Sequence, residues 1–274
     1  MSKLLSANFI RLKKDKFFWI GMIFMLATGI FFPVMRYMDM RQTHSVNNID
    51  NGFFGCVLFI GVVMAVFCSL FIGTEYSDGT IRNKIIIGQK RVSIYLANFI
   101  TCSAVSIVMC VMFFLPYLCI GIPLLGFFEM DIKMVLLFAV TVLMLAVVFS
   151  SLFTLISMLN HNKAVTAIIC ILLAFLLLFA GAQLNRMLSE PESNMGLTMT
   201  ENGQEYHEVP NPKFLDDGMR KTVQFFYDFV PGGQVVQCTT LEAKNLSLLP
   251  VYSLVIIILT TGAGLFFFKK KELK

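Results

Sequence analysis

The stretch Thr74–Asn98, TEYSDGTIRNKIIIGQKRVSIYLAN, decides how the chain is read. It sets Glu75, Asp78, Arg82, Lys84, Lys90 and Arg91 between two long apolar runs that carry no charge. Working outward, residues 52–73 and 92–115 are apolar enough, and long enough, to cross a bilayer core, which takes about 20 residues of helix. Four more runs of that kind occur, at 17–35, 134–159, 164–184 and 246–268. All 22 Lys and Arg and all 17 Asp and Glu fall outside the six runs. Only 14% of the chain is charged and 57% is hydrophobic, whereas soluble domains run near 25% charged. The fold class this predicts is all-α: a polytopic membrane protein of six transmembrane helices in one domain, residues 1–274.

Lysine and arginine set the orientation. With six spans both termini share a side, and that side holds fourteen basic residues, from Lys3 to Lys274, with residues 74–91 among them. The short loops opposite hold three, Arg36, Arg41 and Lys133. Both termini and residues 74–91 are therefore expected in the cytosol, and the long polar segment 185–245 outside.

Residues 2–16 read as an amphipathic helix in the membrane interface, with Leu5, Phe9 and Leu12 on one face and lysines largely off it. No small-residue cleavage pattern follows, and the apolar run is too long for a signal peptide. Pro116 and Pro123, with Gly121 and Gly126, predict a kinked helix end or a dip into the leaflet across 116–133. In the outer segment Asp216 or Asp217 is a cap for a helix running to about Val230, where Pro231, Gly232 and Gly233 stop it. Met219, Val223, Phe226 and Val230 recur at helical spacing and are the candidates for an extracellular gate, or for plain packing on the span ends.

Chemistry is sparse. Six of the seven cysteines sit in apolar stretches at no metal-like spacing, and His44, His161 and His207 lie in separate loops, so no metal site is expected. Ser150 and Ser151 lack a histidine partner in any span, and no HExxH occurs. No GxxxxGK[ST] phosphate loop occurs either, so the chain binds no ATP in that manner and needs no cofactor of its own. Without an intramembrane carboxylate, ion-coupled transport also loses ground.

Residues 78–87 have the makings of a short helix, with Asp78 or Ser77 as cap and Gly88 as stop. Ile81, Ile85, Ile86 and Ile87 need a surface to bury against, either the bilayer or a partner groove, while Arg82, Asn83 and Lys84 stay polar. The pattern E-x-x-x-G-T, about ten residues, then a basic residue entering the third span is Glu75, Gly79, Thr80 and then Arg91 with Tyr95. It resembles the permease subunits of ABC-2 type ATP-binding cassette transporters. The variant EYSDGTIRN with IYLAN is similar to small Gram-positive members tied to antimicrobial-peptide export or immunity. Relatives carry a lysine about seven residues after the arginine, where this chain has Asn98.

The resemblance implies a coupling helix at Asp78–Ile87 docked on a cytosolic ATPase subunit. Its contacts would come from Glu75, Asp78, Gly79, Thr80, Ile81, Arg82, Ile85, Ile86, Arg91 and Tyr95. Glu75 would pair with Arg91. Asn160, His161, Asn162 and Lys163 would make a second cytosolic contact. Two ATPase subunits would hold ATP and Mg, and the chain would pair with a second copy or a related permease, in membrane lipid and without nucleic acid. The implied function is export of an amphipathic or apolar substrate across a bacterial plasma membrane. The alternative is a membrane scaffold or sensor that binds an extracellular ligand and signals inward.

Overall fold

The computed structural model describes residues 1–43, 48–200 and 203–271. His44, named above among the loop histidines, and Lys274, counted among the basic residues, lie outside them.

The chain begins with α1 (Ser2–Lys14), α2 (Lys16–Thr43), the single turn α3 (Asp50–Phe53) and α4 (Cys56–Ser77). Next come the short α5 (Thr80–Ile86), then α6 (Arg91–Leu125), α7 (Ile132–Leu159) and α8 (Lys163–Ser189). Two antiparallel strands follow, β1 (Ser193–Thr200) and β2 (Gly203–Pro210), with Ser193 opposite Pro210 and Thr200 opposite Gly203. Then come α9 (Asp217–Phe229), α10 (Pro231–Thr240) and α11 (Leu249–Lys270). Six of these segments are long and apolar enough to cross a membrane, and they coincide with the six expected spans.

The core is centred on α4, which packs against α2, α6, α7 and α8, while α11 lies along α7 and α2 along α6. Its buried residues Ile60, Met64, Phe67, Phe71 and Ile72 meet Cys102, Val105 and Met109 of α6 and Leu145, Phe149 and Phe153 of α7 in one apolar cluster. Outward faces of α2, α8 and α11 stay apolar and exposed, as with Ile23, Leu176 and Ile258, which suits hydrocarbon as solvent.

The spans are longer than the apolar runs. α6 continues through Pro116 and Pro123 to Leu125 as one helix, so the expected break at 116–133 is corrected to a continuous span followed by a short turn. At about 1.5 Å per residue α6 is roughly 50 Å long, against about 30 Å of hydrocarbon. In a bundle, neighbours and local adjustment re-satisfy backbone groups that a proline frees. The connection after α6 is pinned by Asp50, whose Oδ2 accepts from the Glu129 and Met130 amides at 2.9 and 3.3 Å.

Beyond α8, residues 190–245 differ from the expected helical segment by a two-stranded sheet and by α10. Pro231 does stop α9, but it is also the first residue of a new helix, where its missing N–H costs nothing. α10 inserts against α7, α8 and α9. A Cβ on Gly232 would overlap the Leu177 carbonyl of α8, and one on Gly181 would overlap Gly232. Glycine at both positions therefore permits the backbones to touch.

Candidate functional site

The terminal end of the bundle gathers α1, the last turn of α4, α5 and the first turns of α6 around one carboxylate. α4 does not stop at Gly73; it runs to Ser77, which puts Glu75 inside the helix and turns it inward. Its side chain is 0% exposed. Oε1 receives Arg11 from α1 and Lys84 from α5 as salt bridges. Oε2 accepts from Asn98 Nδ2 of α6 at 3.0 Å. Asn98 Oδ1 in turn accepts from Asn8 Nδ2 of α1 at 2.9 Å, and Asn8 Oδ1 accepts from Lys84 Nζ at 3.4 Å. Glu75, Lys84, Asn8 and Asn98 thus close a ring of side chains drawn from four helices. One carboxylate faces two cations. Arg11 also lays its guanidinium over the Phe71 ring at 3.8 Å, and that contact takes the place of hydrogen bonds that its Nε and Nη2 lack.

The expected Glu75–Arg91 pair is replaced by this ring. Arg91 turns the other way: Nη1 donates to the carbonyls of Phe268 at 3.3 Å, Lys269 at 3.1 Å and Lys271, the open C-terminal end of α11. A cation there satisfies orphan carbonyls and complements the helix dipole. Lys271 completes this second clamp, with Nζ donating to Tyr76 Oη and to the Met158 carbonyl, each at 3.0 Å. Burial holds its ammonium down to about 8. Tyr76 Oη donates to the same Met158 carbonyl, and the His161 ring stands edge-on to Tyr76 at 5.2 Å. His161 is held below the ordinary imidazole range, first by burial and then by Lys271.

α1 presents a different face from the one its apolar spacing predicts. Leu4, Asn8 and Leu12 are buried against the bundle, Leu5 is partly so, and Phe9 is exposed. The ring is the reason, because Asn8 and Arg11 must face α4 and α6.

α5 is shorter than expected and differently capped. Asp78 is the C-cap of α4 and makes no side-chain cap to α5; Gly79 takes the N-cap position at φ +67°. The far end is a Schellman motif around Gly88 at φ +84°: Gln89 N donates to Lys84 O at 3.0 Å and Gly88 N to Ile85 O at 2.9 Å. Thr80 opens the helix. The isoleucines divide. Ile81 is 1% exposed and Ile85 packs on the core, while Ile86 and Ile87 stand 71% and 73% exposed. With Arg82 and Asn83 they form the outward face.

The turn 160–163 lies against the same end of α4. Asn162 Oδ1 caps α8, accepting from the Ala164 and Val165 amides at 3.0 and 3.2 Å. Lys163 Nζ donates to Thr74 Oγ1 at 2.8 Å, and Asn160 Nδ2 bonds back to Ile156 O at 3.2 Å. Tyr95 is buried beside Phe268, and its hydroxyl finds no hydrogen-bond partner among the described residues. At the opposite end, Met219, Val223, Phe226 and Val230 do not form one inward stripe: Val223 is buried with Tyr227 and Asp228, whereas Met219 and Phe226 point out.

Sequence reasoning missed Asn8, Arg11 and Asn98 as partners of Glu75. The available signal was a polar residue where the helical spacing calls for an apolar one, between Leu4 and Leu12 in α1 and between Ile94 and Thr101 in α6. Among the described residues no group of histidine, cysteine and carboxylate side chains converges as a metal site.

No curated protein matches the chain. The family described as "ABC-2 family transporter protein" matches residues 4–181, about two thirds of the chain, from α1 through most of α8 with every member of the ring inside it. Six apolar helices in a bundle and a family match of that extent lead to one conclusion: the chain is a multi-pass membrane protein that belongs to the ABC-2 transporter family.

Proposed function

We propose that this permease is the membrane half of an ATP-driven exporter, with α5 as the helix through which a separate cytosolic ATPase does work on the spans. The carrying observation is that α5 has two sides of opposite kind. One side is locked into the bundle by Ile81 and by Lys84 on Glu75. The other offers Arg82, Asn83, Ile86 and Ile87, all exposed. Exposed isoleucines flanked by a cation suit an apolar cleft with acidic rim residues on a protein partner. The turn 160–163, beside the same end of α4, is the smaller second contact.

In this reading the basic end of the bundle faces the cytosol of a bacterial cell, two ATPase subunits bind ATP and Mg there, and a second permease copy or a related one completes the pathway. The spans hold few charges to pair with a polar cargo, which favours an amphipathic or apolar substrate such as an antimicrobial peptide.

The test is the pair Ile86→Asp and Ile87→Asp in one chain. Both positions are exposed, so the permease is expected to insert and purify normally while its ATPase partner no longer co-purifies. Unchanged co-purification would overturn the docking role of α5. Retained ATPase binding with no ATP-dependent substrate movement by the native chain would instead favour the scaffold reading.

A further inference from the structure

At the end of the bundle opposite Glu75, α9, the turn at Lys244 and Asn245, and the start of α11 enclose a cavity of about 380 Å³. We propose that this cavity binds the headgroup of a membrane phospholipid, taking the phosphodiester on its cations and a hydrogen-bond donor of the head on Asp228.

The cations come first. Arg220, Lys221 and Lys244 line the cavity together with the carboxylates Asp217 and Asp228, so the cations outnumber the acids by three to two. Neither lysine has a carboxylate within 4.0 Å among the described residues, where the only salt bridges are those of Glu75. Arg220 is fixed, its Nη2 donating to Leu188 O at 2.9 Å and its guanidinium over the Phe214 ring at 5.3 Å. A planar guanidinium held by one nitrogen keeps further N–H groups for a phosphate.

Asp228 supplies the second half. It is 2% exposed and, among the described residues, has no cation within 4.0 Å. Oδ1 accepts from Gln224 Nε2 at 2.7 Å and Oδ2 from Asn245 Nδ2 at 2.9 Å. A carboxylate has about four acceptor positions, so two remain for a donor inside the cavity. Ethanolamine and glycerol heads carry such a donor; choline does not.

The surroundings favour lipid over a soluble phosphoester. Phe225, Phe229 and Tyr252 form an aromatic wall, with rings 5.8–6.0 Å apart, where α9 meets α11. On the outside of α9, Met219 and Phe226 are exposed at 64% and 49%. A helix with apolar residues outward and cations toward a cavity at the end of a membrane bundle has the form of one lying in the headgroup layer. The inference rests on the membrane fold and is independent of ATPase docking.

The experiment is native mass spectrometry of the full chain with phosphatidylglycerol, phosphatidylethanolamine and phosphatidylcholine of identical acyl chains. The native chain is expected to retain the first two over the third. Lys221→Gln with Lys244→Gln should weaken phosphatidylglycerol retention about fivefold per lysine and about thirtyfold together. Both lysines are exposed, so the variant keeps its fold. Asp228→Asn should erase the preference of ethanolamine over choline and leave the phosphate-dependent part. Free glycerol phosphate at equal concentration should not displace the lipid. Equal retention of all three lipids, full retention by the double-lysine variant, or displacement by glycerol phosphate would each overturn the proposal.

Discussion

Replacing Glu75 by glutamine keeps the shape of the side chain and removes the one negative charge of the ring. Breaking a buried ion pair by deleting one partner costs about 3–5 kcal/mol, because the other charge stays buried without compensation. Here two cations are stranded. Arg11 is 29% exposed and can turn toward water, whereas Lys84 is 11% exposed and cannot do so without releasing α5. The lower end of the range, about 3 kcal/mol, is therefore expected. At about 2–4 °C per kcal/mol for a chain of this size, the midpoint falls by about 6–12 °C. Thermal loss of the monodisperse peak on size exclusion measures it. A companion variant, Glu75→Met with Arg11→Met and Lys84→Met, removes all three charges and with them the desolvation cost. It should recover most of the loss, since apolar replacement of a whole buried ion cluster is often neutral. A native midpoint for Glu75→Gln, or a triple variant less stable than the single one, would refute the view of Glu75 as the shared counter-ion.

Two further predictions follow from the same end of the bundle. Asn98→Lys adds a third cation next to Glu75 and should cost about 2 kcal/mol or more, while combining it with Lys84→Gln restores the charge balance and should recover at least about 1 kcal/mol in a double-mutant cycle. Additive effects would mean that positions 84 and 98 do not share the carboxylate. For Lys271, the fold holds the amine at about 8, below its ordinary 10.5. Between those values the undocked tail binds more protons than the docked one, so docking tightens as pH rises from 8 to 10.5 and carries its full penalty below 8. A spin label at Lys270→Cys, in a Cys119→Ser background, should lose mobility over that range, and Lys271→Met should abolish the change.

The six spans were legible because about twenty uncharged residues in a row have few other stable fates. Their ends were not. Glu75 reads as a loop residue because charge marks the end of an apolar run, yet α4 stays helical for two residues beyond it and the carboxylate turns inward. Pro116 and Pro123 read as a break because in water a proline costs a hydrogen bond, and a packed bundle supplies what water would. The partners of Glu75 were illegible for a simpler reason. Arg11, Lys84 and Arg91 all lie near the same end of the chain's spans, and nothing in their spacing ranks them. The isoleucines of α5 could not be sorted either, since a seven-residue helix spans barely two turns and its period fits either face. Only the fold of α5 back onto Glu75 decides that Ile81 is core and Ile86 is surface.

That sorting bears on how α5 could carry force. The helix is joined to α4 through Gly79 and to α6 through Gly88, both in the left-handed region that leaves glycine free to rotate. A seven-residue helix between two such joints would swing under load and transmit little. What holds it is inside the ring: Lys84 on Glu75, with Ile81 buried beneath. Pulling Lys84 away would leave Glu75 with Arg11 and Asn98 alone, unpair the Lys84 ammonium and lift Ile81 out of the core, so displacement of α5 alone is costly. In the proposed cycle a push on Ile86 and Ile87 therefore moves α1, α4, α5 and α6 together, and the yielding contacts must be those to other helices. The all-methionine variant separates the two roles of the ring. It should stand heating nearly as well as the native chain and still fail to couple ATP hydrolysis to transport, because apolar packing can fill the space between four helices without tying α5 to any one of them. Native transport by that variant would assign the coupling to packing alone.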